Sequence, residues 1–148
     1  MALVRVALRE VLGPWRGDLT GVSCIAAGAD SLFAQEVCAL GRRLVVVIPS
    51  HDYREKKVKP DHAPVFDLLV REAAEVVVMP HETADRAAYE SANAELLKRA
   101  DRLVAVWNGA PPSGKGGGTA DVVVQAREAG FPVDVVWPTG ATRRGSRP

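Results

Sequence analysis

The sequence predicts an α/β fold, a three-layer α/β/α sandwich around a mainly parallel sheet of about five strands. Short valine-rich runs alternate with amphipathic stretches along the whole chain. The runs are apolar throughout, with no polar alternation, as expected of strands covered by helices on both faces. Glycine and polar residues gather in the segments that follow the runs, where a parallel sheet places its ligand edge.

The elements follow in order. Residues 3–12 read as a helix that precedes the first strand, at 21–26. Helical patterns at 31–40, 64–73, 86–100 and 119–129 then alternate with apolar runs at 44–48, 76–79, 103–107 and 133–137. Crossovers between parallel strands are right-handed. Residues 1–140 are expected to form a single domain, and residues 141–148, with Arg143, Arg144 and Arg147, a basic disordered tail.

Bulk properties narrow the function classes. The net charge of +1 offers no polyanion-binding surface, and no basic stripe supports nucleic acid as a partner. Cys24 and Cys38 are the only cysteines and read as buried, reduced thiols. No apolar stretch approaches a membrane span and no signal-peptide core is present, so a soluble cytoplasmic protein is expected, with no membrane partner. His51, His62 and His81 are scattered without metal-ligand spacing, so no metal site is expected. No cofactor is called for.

Four loops fall on the predicted ligand edge: residues 27–30, 50–53, 80–83 and the glycine loop between 107 and 119. The glycine loop is the most informative. Its backbone can approach a ligand closely, and the next helix begins at Thr119 with free N–H groups and a positive dipole end. Lys115, Gly116, Gly117, Gly118, Thr119 and Asp121 are therefore candidate phosphate contacts. Gly109-Ala-Pro-Pro-Ser-Gly114-Lys115 fits a Walker A loop until Gly116 stands where the magnesium-binding hydroxyl belongs. The dinucleotide fingerprint fails on glycine spacing and on the missing acidic residue about 20 positions later. The competing reading is a surface loop beside a helix capped by Thr119.

The loop at 27–30 supplies Gly28, Ala29 and Asp30. Gly28 permits a tight turn, and Asp30 is placed to cap the next helix or to hold the loop around a ribose or phosphate. Tyr89 and Asn93 lie one helical turn apart on a stripe with Leu96 and Ala100, facing the core. Polar groups there need partners, either backbone or ligand. Trp107 is read as core in preference to a base-stacking platform, His51-Asp52-Tyr53-Arg54 as a solvated loop, and Lys56-Lys57-Val58-Lys59 as a solvated face. Ser23, Ser31, Ser50 and Ser113 lack a nucleophile elbow.

Taken together, the segment from Cys24 to Ala34, the pair Tyr89 and Asn93, the run from Ala100 to Gly109, and Gly117-Gly118-Thr119-Ala120-Asp121 resemble the SLOG superfamily. That superfamily is named for DNA-processing (Smf/DprA) and Lonely Guy proteins, and the likeness is to its small bacterial branch. The resemblance implies a Rossmann-like domain that binds nucleotides or nucleotide-derived ligands through two glycine-bearing loops, and a homodimer by analogy. Two departures accompany it. The branch opens with a strand ending in a Thr-Gly-His-Arg-like turn, whereas here the first element is the helix that should follow it. A start internal to the true reading frame is the expectation. Lonely Guy enzymes also carry Pro-Gly-Gly-x-Gly-Thr-x-x-Glu and split nucleoside monophosphates with that glutamate. Here Val122 holds its position, and Asp121 is rotated from it by about 100° on a helix. The leading expectation is thus a nucleotide-binding module with a sensor role. The alternatives are a phosphoribohydrolase releasing base and ribose 5-phosphate, and a vestigial interaction domain that binds nothing.

Overall fold

β-Branched residues stiffen the backbone and pack well on a pleated surface, and the valine runs form the strands. The computed structural model describes residues 2–111 and 118–140. The strands are β1 (Thr20–Ser23), β2 (Arg43–Ile48), β3 (Glu75–Val78), β4 (Leu103–Val106) and β5 (Val133–Val136). The helices are α1 (Ala2–Leu12), α2 (Ala29–Ala39), the short α3 (Tyr53–Lys57), α4 (Ala63–Glu72), α5 (Arg86–Arg99) and α6 (Thr119–Glu128). A 3-10 turn at Gly13–Trp15 joins α1 to β1. Helix α3 and this turn are additions to the sequence reading. They are too short for a periodic signal, and α3 converts the expected solvated loop at Tyr53 into a buried anchor.

Every strand pair is parallel, but the five strands do not make one sheet. β1, β2 and β3 form one sheet in that order, and β4 pairs with β5 in a second. Periodicity identifies strands but carries no information on which edges meet. The strand expected at 21–26 also ends early, because Ile25 adopts φ of 48° and leaves the extended conformation. A third correction concerns β3. It was expected to be covered on both faces, yet Val76 and Val78 are 39% and 42% exposed, so one face of this edge strand is open.

Helices α1, α2 and α4 pack side by side, α1 against α2 and α2 against α4. Helix α5 leads from β3 to β4 of the second sheet and lies against β1 and β2, while α6 lies against β4 and β5. The central core joins Ile25, Val37, Leu44, Val46, Tyr53, Phe66 and Leu69.

Two contacts fix the first layer. Glu36 of α2 is buried, and its carboxylate accepts hydrogen bonds from Arg5 and Arg9 of α1, while Arg5 also donates to Gln35. Gly21 of β1 lets α2 approach the sheet: a Cβ there would lie 2.6 Å from Val37 Cγ2 and 3.2 Å from the Phe33 ring. We therefore expect Gly21→Ala to lower stability by about 1–3 kcal/mol through overpacking. Urea titration followed by circular dichroism tests this, and an unchanged midpoint would show that α2 shifts freely on β1.

Candidate functional site

Helices α1 and α5 and the facing edges of β1 and β4 enclose a cavity of about 610 Å³. Leu8, Val11 and Leu12 of α1 line one wall, and Ala92, Leu96 and Leu97 of α5 line another. At the amino ends of the strands, Trp15, Asp18, Arg102 and Asp134 close it. The Arg102 guanidinium lies 5.9 Å from the Trp15 ring centroid and donates to the Asp134 carboxylate. At the carboxyl ends the lining turns polar. There the structure brings together Ala29, Asp30, Tyr89, Asn93, Gly118 and Thr119, six of the residues the sequence singled out. Lys115, Gly116 and Gly117 lie outside the described residues, as does the tail at 141–148.

The loop from β1 to α2 is held under strain. Ile25 is fully buried with positive φ, a conformation that costs a β-branched residue about 1–3 kcal/mol. Its N–H donates to Ser23 Oγ at 2.9 Å. Its carbonyl oxygen lies 3.1 Å from Ser31 Oγ and 3.0 Å from His62 Nε2. Ser31 Oγ also reaches the Ala26 carbonyl at 2.8 Å and His62 Nε2 at 3.2 Å. The carbonyl of Ile25 can only accept, so His62 Nε2 carries the proton and serves as a donor. Ser31 spends its own proton on backbone carbonyls. The Ser31–His62 pair is therefore a clamp on the loop, with no base available to activate the hydroxyl. Sequence reading missed this role because the three side chains belong to β1, α2 and the turn before α4.

Gly28, with φ of 91°, is the N-cap of α2, and no side chain caps this helix. Asp30 is thus not the cap anticipated from sequence; it sits in the first turn of α2, where its charge complements the dipole. Asp30 is exposed and lines the cavity. Desolvation raises its pKa above the ordinary carboxylate value, and the Ala26 backbone amide opposes the shift. Neighbouring Cys24 is pushed strongly upward by burial and then by the Asp30 charge, which leaves an inert thiol.

Helix α6 begins at Gly118, so Thr119 is its first helical residue and not its cap. The Gly118 N–H donates to Asp121 Oδ2 at 3.1 Å. Asp121 therefore satisfies one orphan amide of α6, a helix-starting role beside its predicted ligand role. Tyr89 packs edge-on against Tyr53, and Asn93 is buried. Among the described residues, neither the Tyr89 hydroxyl nor the Asn93 amide has a protein hydrogen-bond partner, and both residues line the cavity. Trp107 is half-buried: its indole N–H donates to the Ala110 carbonyl, and Arg127 lies over its ring. Trp107 and Trp137 border a separate cavity of about 160 Å³ beside Thr119 and Asp121.

The Asp30 environment has a pH signature. Folding raises the pKa of this acid, so the ionised form weakens the fold. That cost is absent below the unfolded value of about 3.8 and complete above the raised one. Asp30→Asn is expected to melt higher than the parent near pH 8, with the gap closing as pH falls through the raised pKa toward that value. Melting curves taken across this window decide it; a gap independent of pH would remove the desolvated carboxylate as its origin.

No protein-family model matches the chain, and no curated protein matches it. Among solved structures it is similar to the X-ray structure of DNA processing protein A (DprA) from Streptococcus pneumoniae, with a TM-score of 0.65 at 15% identity. The match covers 93% of this chain and 46% of that one, so the chain spans about half the length of its structural neighbour. Among the described residues, no helix is long and apolar enough to cross a membrane. The chain has a DprA-like α/β fold.

Proposed function

We propose that this chain is a SLOG-type binding module that holds a nucleotide-derived ligand at the carboxyl ends of β1 and β4. The observation that carries the reading is the pair Tyr89 and Asn93, which line the polar end of the cavity without a protein hydrogen-bond partner among the described residues. Their polar atoms are accessible from the cavity, and a ribose or base edge supplies both donors and acceptors. Topology supports the same place: β1 and β4 belong to separate parallel sheets, and the loops that follow both strands border the cavity. The starts of α2 and α6 both open there, with Gly28 and Gly118 at their caps. In this reading the two starts take phosphate oxygens, joined by the glycines and lysine of the 114–117 segment.

A hydrolase reading rests on Asp30. A carboxyl group whose pKa is pushed upward beside a cavity is suited to donate a proton to a leaving base. Release of free base from a nucleoside monophosphate separates the two readings.

The test is thermal melting with AMP, GMP, ADP-ribose, NAD and cyclic nucleotides, with chromatography of each mixture for free base. A ligand at 100 times its dissociation constant adds about 2.7 kcal/mol, which moves the midpoint by several degrees. The expected result is a selective shift that Asn93→Ala abolishes while the ligand-free protein still melts cooperatively. A cooperative melt that none of these compounds moves would sink the binding reading.

A further inference from the structure

The second cavity, of about 160 Å³, is bordered by two tryptophans, and strand pairing explains how both reach one place. β4 and β5 run parallel and in register from Leu103↔Val133 to Val106↔Val136, and the Trp107 N–H donates to the Val136 carbonyl. Trp107 and Trp137 stand one step further along the two strands. Partners in a parallel pair project to the same face, so the two indoles lie side by side at the carboxyl edge of this sheet.

Neither indole is packed as a core residue. Trp107 was expected in the core, yet both residues are only half-buried, and neither belongs to a stacked or edge-on ring pair among the described residues. Trp107 is a fixed wall. Its indole N–H donates to the Ala110 carbonyl at 2.9 Å, and the Arg127 guanidinium lies 5.6 Å from its ring centroid. Trp137 has no such restraint. Its indole N–H lacks an acceptor among the described residues, and it stays accessible, because none of their buried side-chain nitrogens is unpaired.

Polar groups border the same space. Asn108 Oδ1 accepts from the Ala110 N–H, which leaves its amide N–H groups without a partner among the described residues. Asp121 accepts from the Gly118 N–H at Oδ2, and its Oδ1 remains open. Indole faces with free N–H donors suit a flat ring that carries acceptors of its own. Size narrows the class further. Roughly 150 Å³ is room for a benzene-sized ring, so about 160 Å³ takes one six-membered heterocycle. Entry is from the side of Asn108 and Thr119, both exposed.

We infer that the cavity between Trp107 and Trp137 is a stacking site for a single six-membered nitrogen heterocycle, a pyrimidine-type base. The ring accepts from the Trp137 indole N–H and donates an amino or imino hydrogen to Asp121. Gly118 and Thr119 border both cavities, so the remainder of the ligand extends from this ring toward Tyr89 and Asn93. The inference rests on the binding reading above and names the ring that the ligand carries.

The test reads indole emission. The chain has three tryptophans, so a Trp15→Phe variant reports on these two rings alone. Should that variant not fold, the parent protein serves, with Trp15 as a constant background. The probes are cytidine, uridine, adenosine, their 5′-monophosphates and ribose 5-phosphate, with melting temperature measured on the same samples. Saturable quenching is expected from a pyrimidine compound at lower concentration than from its adenosine counterpart, and none from ribose 5-phosphate. Trp107→Leu is expected to weaken that binding about tenfold or more. Trp137→Phe keeps a ring face and deletes the N–H, and is expected to weaken it about threefold to tenfold. If Trp107→Leu does not melt cooperatively, Trp137→Phe decides. Quenching by ribose 5-phosphate, tighter binding of the adenosine compounds, or unchanged affinity in Trp137→Phe overturns the inference. A melting shift with unaltered indole emission also overturns it and leaves the binding reading standing. No response in either readout, with these probes and the compounds named above, overturns both.

Discussion

A parallel strand satisfies its backbone only through neighbours on both edges, and the gap between β1 and β4 is where that requirement organises this molecule. On one side stands the three-stranded sheet, covered by α2 and α4; on the other stands the pair β4 and β5, backed by α6. Helices α1 and α5 span the gap from opposite faces. Their apolar side chains line the void, and β1 and β4 do not pair across it. The contacts of Arg5 and Arg9 with buried Glu36, and of Arg102 with Trp15 and Asp134, hold the two halves around it.

The same gap sets the site. The segments after β1 and β4 both border it, with the polar end of the cavity between them. There, Ile25 is kept in a strained conformation by Ser23, Ser31 and His62, which aims the start of α2 at the cavity. Electrostatics are mixed. Two helix starts favour an anion, while Asp30 and Asp121 bring negative charge to the same turns. Desolvation, which pushes the Asp30 pKa upward, disfavours the charged carboxylate and so eases that conflict. Asp121 is engaged by the Gly118 amide, so its charge is partly absorbed by the helix it starts.

Much of this was legible before any coordinates. The five valine-rich runs became the five strands, and all five longer helices fell within two residues of their sequence-predicted bounds. Asp30, Tyr89, Asn93, Gly118 and Thr119 were singled out by glycine placement, loop position and a four-residue spacing, and they line one cavity. The clamp on Ile25 was not legible: serine and histidine are common, and nothing in the order of residues says that positions 23, 31 and 62 converge. The caps were misassigned for a related reason. Asp30 and Thr119 are good capping types, but positive φ at Gly28 and the reach of Asp121 moved each cap to a glycine.

The sequence by itself determined the order and type of the elements, because hydrophobic periodicity and loop chemistry are local properties of the chain. It also determined which edge carries the glycine-bearing loops, since parallel strands put every strand-to-helix loop on one side. Tertiary structure alone decided that β4 does not pair with β1, that one face of β3 stays open, and that the cavity runs from Trp15 to Thr119. Strand pairing depends on which edges meet across long sequence separations, and that is settled by packing the helices over the whole sheet at once.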